Sequence, residues 1–125
     1  MNLITPLILC LALSITTGAF QARAADGFVS GFEDLPLMDG LAQVAQESVL
    51  FDTPQGRIVQ ASAVGTATQA SVVSFYDSTL PQLGWTRSAA ATYQREGETL
   101  RLEFSTTAQQ LMVKFLSEPS SGRSQ

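Results

Sequence analysis

The groups in this chain best able to do chemistry are carboxylates. Glu33, Asp34 and Asp39 cluster in one stretch, and Glu96, Glu98 and Glu103 in another. The first cluster could hold Ca²⁺, and the Asp39-Gly40 step resembles the turn of a calcium loop. The alternating oxygen spacing of an EF-hand is missing, however. The second cluster could supply the pair of carboxylates that cleaves a glycosidic bond, which must stand about 5–9.5 Å apart. Glu98 and Glu103 differ by an odd number of positions, so a regular strand points them to opposite faces. Both clusters are expected to be solvated decoration.

Other chemistries are limited by residue supply. The chain has no His, and its single Cys is Cys10. Cys–His nucleophiles and a Ser–His–Asp triad are therefore excluded, as is a zinc site built from Cys and His. No phosphate-cradling Gly loop, dinucleotide fingerprint or HExxH occurs. Lys114, the one Lys, could serve a Lys-dependent serine hydrolase, but no motif surrounds it. Asp52 and Arg57 flank a turn, where Arg57 could contact an anion. A cross-strand ion pair worth ~0.2–1 kcal/mol is the preferred reading. Trp85 and Tyr93 could form an aromatic platform for a ligand, but their placement on one strand face favours core packing. No residue is assigned a catalytic, cofactor-binding or metal-binding role, and no cofactor is expected.

The address is more legible. Residues 1–20 carry no charged side chain, and Ala22-Arg23-Ala24 follows them. The apolar run over residues 7–15 has the length of a signal-peptide core, and Ala22 and Ala24 stand where signal peptidase requires small side chains. Cleavage is expected after Ala24, although Met1-Asn2 supplies no Lys or Arg. Pro6, Ser14, Thr16, Thr17 and Gly18 interrupt the ~20 apolar residues that a retained membrane anchor needs. Leu9 is too large for the position before a lipoprotein Cys. The mature protein is thus expected in the periplasm or secreted, touching the membrane only transiently through its leader.

The chain has 125 residues, with 7 basic against 11 acidic and a net charge of −4. Loss of Arg23 with the leader makes the balance more acidic. That charge is unsuited to nucleic acid or to anionic lipid. With Cys10 removed no disulfide can form, so a domain of about a hundred residues must be held by its core.

Four regions are expected: a signal peptide over residues 1–24, an extended acidic arm over 25–46, an α+β domain over 47–117 and a disordered tail over 118–125. The arm, broken by Gly27, Gly31, Pro36 and Gly40, is expected to carry at most one helical turn near residues 41–46. Residues 48–65 read as a hairpin turning at Thr53-Pro54-Gln55-Gly56. Val49 and Phe51 suit a half-buried strand, but Leu50 breaks the alternation. Residues 68–84 read as the one helix, capped by Thr68 and stopped by Gly84. Val72, Phe75, Tyr76, Leu80 and Leu83 lie on one face of it. One strand is expected from Trp85 to Tyr93. Leu100, Leu102 and Phe104 mark the next, after a turn at Glu96-Gly97, and residues 111–116 form the last after a polar loop over 106–110. The expected fold is a single small α+β domain, strand order β-β-α-β-β-β, with the amphipathic helix packed across one face of an antiparallel sheet.

The segments Phe51-Asp52-Thr53-Pro54-Gln55-Gly56-Arg57-Ile58, Phe75-Tyr76 and Leu80-Pro81-Gln82-Leu83-Gly84-Trp85 resemble a pattern in small exported bacterial proteins of an uncharacterised family. The resemblance implies a Gram-negative periplasmic setting and no assigned activity. The expected role is a non-enzymatic interaction module for another envelope protein. A carrier of a small apolar ligand is the alternative, and a carboxylate-dependent hydrolase ranks third. Oligomeric state is left open. Burial of each large apolar side chain contributes roughly 1.5–3 kcal/mol, so Phe104→Asp is expected to unfold or aggregate the protein. A cooperative, wild-type-like melt of that variant would show the inward face to be misassigned.

Overall fold

A computed structural model describes residues 27–120; the leader over residues 1–24 and the end of the expected tail, residues 121–125, lie outside the described residues. Seven strands and one α-helix follow in the order β1 (Leu41–Gln43), β2 (Val49–Thr53), β3 (Gly56–Gly65), α1 (Gln69–Thr79), β4 (Thr86–Ala89), β5 (Thr92–Arg95), β6 (Glu98–Thr107) and β7 (Gln110–Pro119). They form one antiparallel sheet in the spatial order β1-β3-β7-β6-β5-β4. β2 pairs with residues 56–60 of β3 and β1 with residues 63–65, both on the side away from β7. The α+β class holds, while the expected β-β-α-β-β-β order does not.

The differences have local causes. β1 adds a strand where a helical turn was expected, and the turn comes just after it, as a 3₁₀ segment over Ala45–Glu47. Gly65 makes β1 possible, because a Cβ there would collide with the Gly40 carbonyl. The expected strand from Trp85 to Tyr93 is instead the β4–β5 hairpin, turning at Ala90-Ala91 with Ala91 at φ 49°. The expected loop over residues 106–110 shrinks to Ala108-Gln109, both at positive φ, between Thr107 and Gln110. Neither turn carries the Gly or Asn that marks such geometry. β7 also runs on to Pro119, so the start of the expected tail is a strand.

The helix matches its sequence signals. The Thr68 hydroxyl accepts from Ser71 N at 3.2 Å. Pro81 turns the end into a 3₁₀ segment over Leu80–Leu83, and Gly84 stops it at φ 88°. Val72, Tyr76 and Leu80 are fully buried, with Phe75 and Leu83 packed at the margin. They meet the inner face of the sheet, where Leu100, Leu102, Val113, Phe115, Ala61 and Ala63 are buried. Phe104 is half-buried at the edge of this core.

Residues 27–46 are no free arm. Val29 and Leu35 are each 1% exposed. The segment folds back on itself through Val29 N to Leu35 O at 2.8 Å and Leu37 N to Gly27 O at 3.0 Å. The Gln43 side chain then ties it to β1, donating to Phe28 O and accepting from Ser30 N. Its apolar side chains and those of α1 join one core. The boundary expected at residue 46 therefore falls inside the domain.

Tyr76 fastens the two covers together. Its hydroxyl donates to Pro36 O at 2.8 Å and accepts from Met38 N at 3.3 Å. Burial holds the phenol well above its ordinary pKa, so it stays a donor. Tyr76→Phe keeps the ring and orphans two backbone groups, and should cost about 1–3 kcal/mol. Urea unfolding checks the loss. Hydrogen exchange should place the extra opening at Met38 first, and uniform loss across the sheet would contradict this linkage.

Candidate functional site

Along each strand the side chains alternate between the inner face, under α1, and the open outer face. Register puts Val59, Ser117, Glu98 and Arg95 on the inner face, at the end of the sheet beyond α1. Residues 31–34 and Trp85 close over them. A cavity of about 330 Å³ remains, bordered also by Arg57 and Glu96.

Arg95 organises this corner. Its guanidinium donates to both Asp34 oxygens, at 2.7 and 3.3 Å, and to Leu83 O at 2.8 Å. It lies 4.4 Å from the centre of the Trp85 ring. The Asp34 carboxylate raises the Arg95 pKa further, and Glu98 and Glu96 add to the effect. One cation thus ties the segment over residues 31–34, the helix end and the β5–β6 turn together. Trp85 is 4% exposed, and its indole N–H is buried without a partner. With one face under Arg95 and its N–H sealed, Trp85 offers no ligand platform. Tyr93, fully buried, donates to Asp77 on α1, and Arg87 lies 3.8 Å from that carboxylate. Burial and the Asp77 carboxylate raise the Tyr93 pKa.

The other candidates are only partly brought together: Glu33, Asp34, Glu96 and Glu98 border the cavity. Asp34 is committed to Arg95, and Asp39 is exposed after the segment has turned toward β1. Among the described residues no group of three or more His, Cys, Asp or Glu could hold a metal ion. Glu98 borders the cavity, whereas Glu103 lies on the outer face opposite Lys114. Lys114 also stands opposite Ser62, a juxtaposition invisible in the sequence. A Ser–Lys nucleophile needs an accessible hydroxyl bonded to the amine, and the Ser62 hydroxyl is sealed and unpartnered. Asp52 and Arg57 pair across the hairpin at 3.3 Å, both exposed. The sequence offered no signal for Arg95, whose partner Asp34 is 61 residues away.

A second feature lies at the sheet edge. Val49, Leu50 and Phe51 of β2 are 46%, 50% and 48% exposed. The strand expected to be half-buried is thus open on both faces and along one backbone edge, since β2 pairs with β3 alone. The opposite edge, β4, is different in kind. It carries Arg87 and a register shift between Arg87 and Ala89. Charge and bulges are the usual guards against strand addition.

The Arg95 clamp has a measurable weight. Asp34→Asn should cost about 1 kcal/mol and lose part of that effect in 1 M salt. Arg95→Ala also uncovers Trp85 and should cost about 2 kcal/mol, with Arg95→Lys restoring little because the paired contact needs a planar fork. Urea unfolding followed by the fluorescence of Trp85, the one Trp in the chain, measures all three. Equal stability of Arg95→Ala and the parent would remove the clamp from the account.

Comparison of the chain with protein-family models, with curated proteins and with solved structures returns no match.

Proposed function

We propose that this chain is an exported, non-enzymatic binding module of the bacterial envelope that takes up an extended segment of another envelope protein along β2. The observation that carries the reading is the unguarded edge: three consecutive apolar residues, each about half exposed, on a strand with one free side. An added strand gains main-chain hydrogen bonds there and side-chain contacts on both faces, which is a general mode of peptide recognition. The leader supports the periplasmic or secreted address. Among the described residues no helix is long and apolar enough to cross a membrane.

The alternative of an apolar-ligand carrier has less support. The space between α1 and the sheet is filled by Val72, Tyr76, Leu80, Leu100, Val113 and Phe115, all at 0% exposure. The cavity beyond the helix is bordered by charged side chains instead. For a carboxylate hydrolase, the expected pair Glu98 and Glu103 sits on opposite faces of β6. Of the carboxylates that border the cavity, Glu33, Asp34, Glu96 and Glu98, Asp34 is committed to Arg95.

A photocrosslinking residue at Phe51 tests the reading in cells, with one at Ser78, on the exposed side of α1, as control. A discrete adduct with one envelope protein at position 51 and none at position 78 is expected. Adducts at both positions alike, or none at position 51, would count against the edge as the binding surface.

A further inference from the structure

We infer that the β2 edge is closed by a second copy of the chain when no partner segment occupies it, through antiparallel pairing of β2 with its own two-fold mate. This rests on the reading of β2 as the binding edge and names what covers it at rest.

The occupant of this edge must suit a strand that is apolar on both faces. An alternating amphipathic strand would set a polar side chain against either Leu50 or the Val49–Phe51 pair. β2 is apolar at three successive positions, Val49, Leu50 and Phe51, with its one charge at Asp52, so that stretch is its own complement. A two-fold contact also asks each surface to match itself.

The hairpin decides which groups face outward. Thr53 and Gly56 flank a two-residue turn and form a hydrogen-bonded pair, as do Phe51 with Ile58 and Val49 with Gln60. The backbone groups of Leu50 and Asp52 therefore point to the free side. Two-fold axes are possible through Val49, Leu50, Phe51 or Asp52. An axis at Asp52 sets two carboxylates against each other, one at Phe51 sets Leu50 against Asp52, and one at Val49 sets Leu50 against Ser48. An axis at Leu50 pairs Leu50 with itself, Val49 with Phe51 twice, and Ser48 with Asp52 twice. Only this last register matches like with like, and aromatic with β-branched cross-strand pairs are favourable. Val49 and Phe51 share the outer face in both copies, so the two sheets join into one with both helices on the same side.

Charge permits this approach. The chain is net negative, which opposes random association, but Asp52 is already paired with Arg57 at the seam. β4 could not join in the same way because of Arg87 and its bulge.

Sedimentation of the purified protein over a concentration series tests this, together with a Leu50→Cys variant under mild oxidation. The expected result is a reversible monomer–dimer equilibrium that Leu50→Lys weakens at least tenfold without changing the thermal melt taken at concentrations where both proteins are monomeric. A hydrogen-bonded antiparallel pair places the Cα atoms ~5.5 Å apart, within disulfide reach. Leu50→Cys should therefore give a covalent dimer that the parent, with only Cys10, and Ser78→Cys do not. A parent that stays monomeric throughout, or a dimer that Leu50→Lys leaves intact, would overturn the inference. A monomer that still crosslinks to an envelope protein through position 51 would overturn self-pairing alone and leave the binding edge standing.

Discussion

The structure depends on a platform of three ten-residue strands, β3, β7 and β6, and on the need to dry its inner face. Those strands are paired almost end to end. On that face Ala61 lies opposite Phe115, and Ala63 opposite Val113. Small side chains on β3 beside large ones on β7 make the face uneven, and one helix cannot cover both sides of it. Helix α1 supplies Val72, Tyr76 and Leu80, and the segment before β1 supplies Val29 and Leu35. The 11-residue helix is short by the standard of helices stable alone in water. Tyr76 couples the two covers by bonding the segment's backbone. With no disulfide available, this division of the cover holds a small domain together.

The charged side chains serve the same end. Asp34 and Arg95 pin the segment to the β5–β6 turn. Asp77, Tyr93 and Arg87 pin α1 to the β4–β5 hairpin. Asp52 and Arg57 brace the β2–β3 hairpin. Each is a modest contribution by itself. Together they fix the segment, the helix and two hairpins in place.

The sequence disclosed elements wherever a residue type had a local reason to be there. Thr68, Pro81 and Gly84 bounded the helix, Pro54 and Gly56 marked one hairpin, and strict alternation over Leu100, Leu102 and Phe104 placed β6. The β4–β5 and β6–β7 turns were not legible, because Ala91, Ala108 and Gln109 take positive φ without glycine. There the long-range pairing of the strands imposes the geometry on residues that would not choose it. Gly-rich residues 27–46 read as a loose arm because the backbone turns that bury Val29 and Leu35 look, in one dimension, like breaks. The clamp was hidden for a simpler reason, since an ion pair across 61 residues leaves no trace in spacing. One signal of the exposed edge was visible. Leu50 spoiled the alternation of β2, and a strand that is apolar on both faces while only half covered on each is an unfinished surface.

That surface distinguishes the two ends of the sheet. A long antiparallel sheet must end somewhere, and each end is a row of unpaired donors and acceptors. At β4 the end is short, bulged and charged, which blocks further pairing. At β2 the one charge, Asp52, stands near the turn beside Arg57, and Val49, Leu50 and Phe51 are uncharged and half-exposed at the margin. Extending the sheet at β2 adds hydrogen bonds and removes apolar surface from water without displacing any core residue. Elsewhere among the described residues, the helix face away from the core carries Ser71, Ser74 and Ser78, and the Arg95 guanidinium is engaged with Asp34 and Leu83. In the proposed reading, recognition is drawn to this edge by the same physics that built the sheet, and an added strand would take the place of a missing eighth.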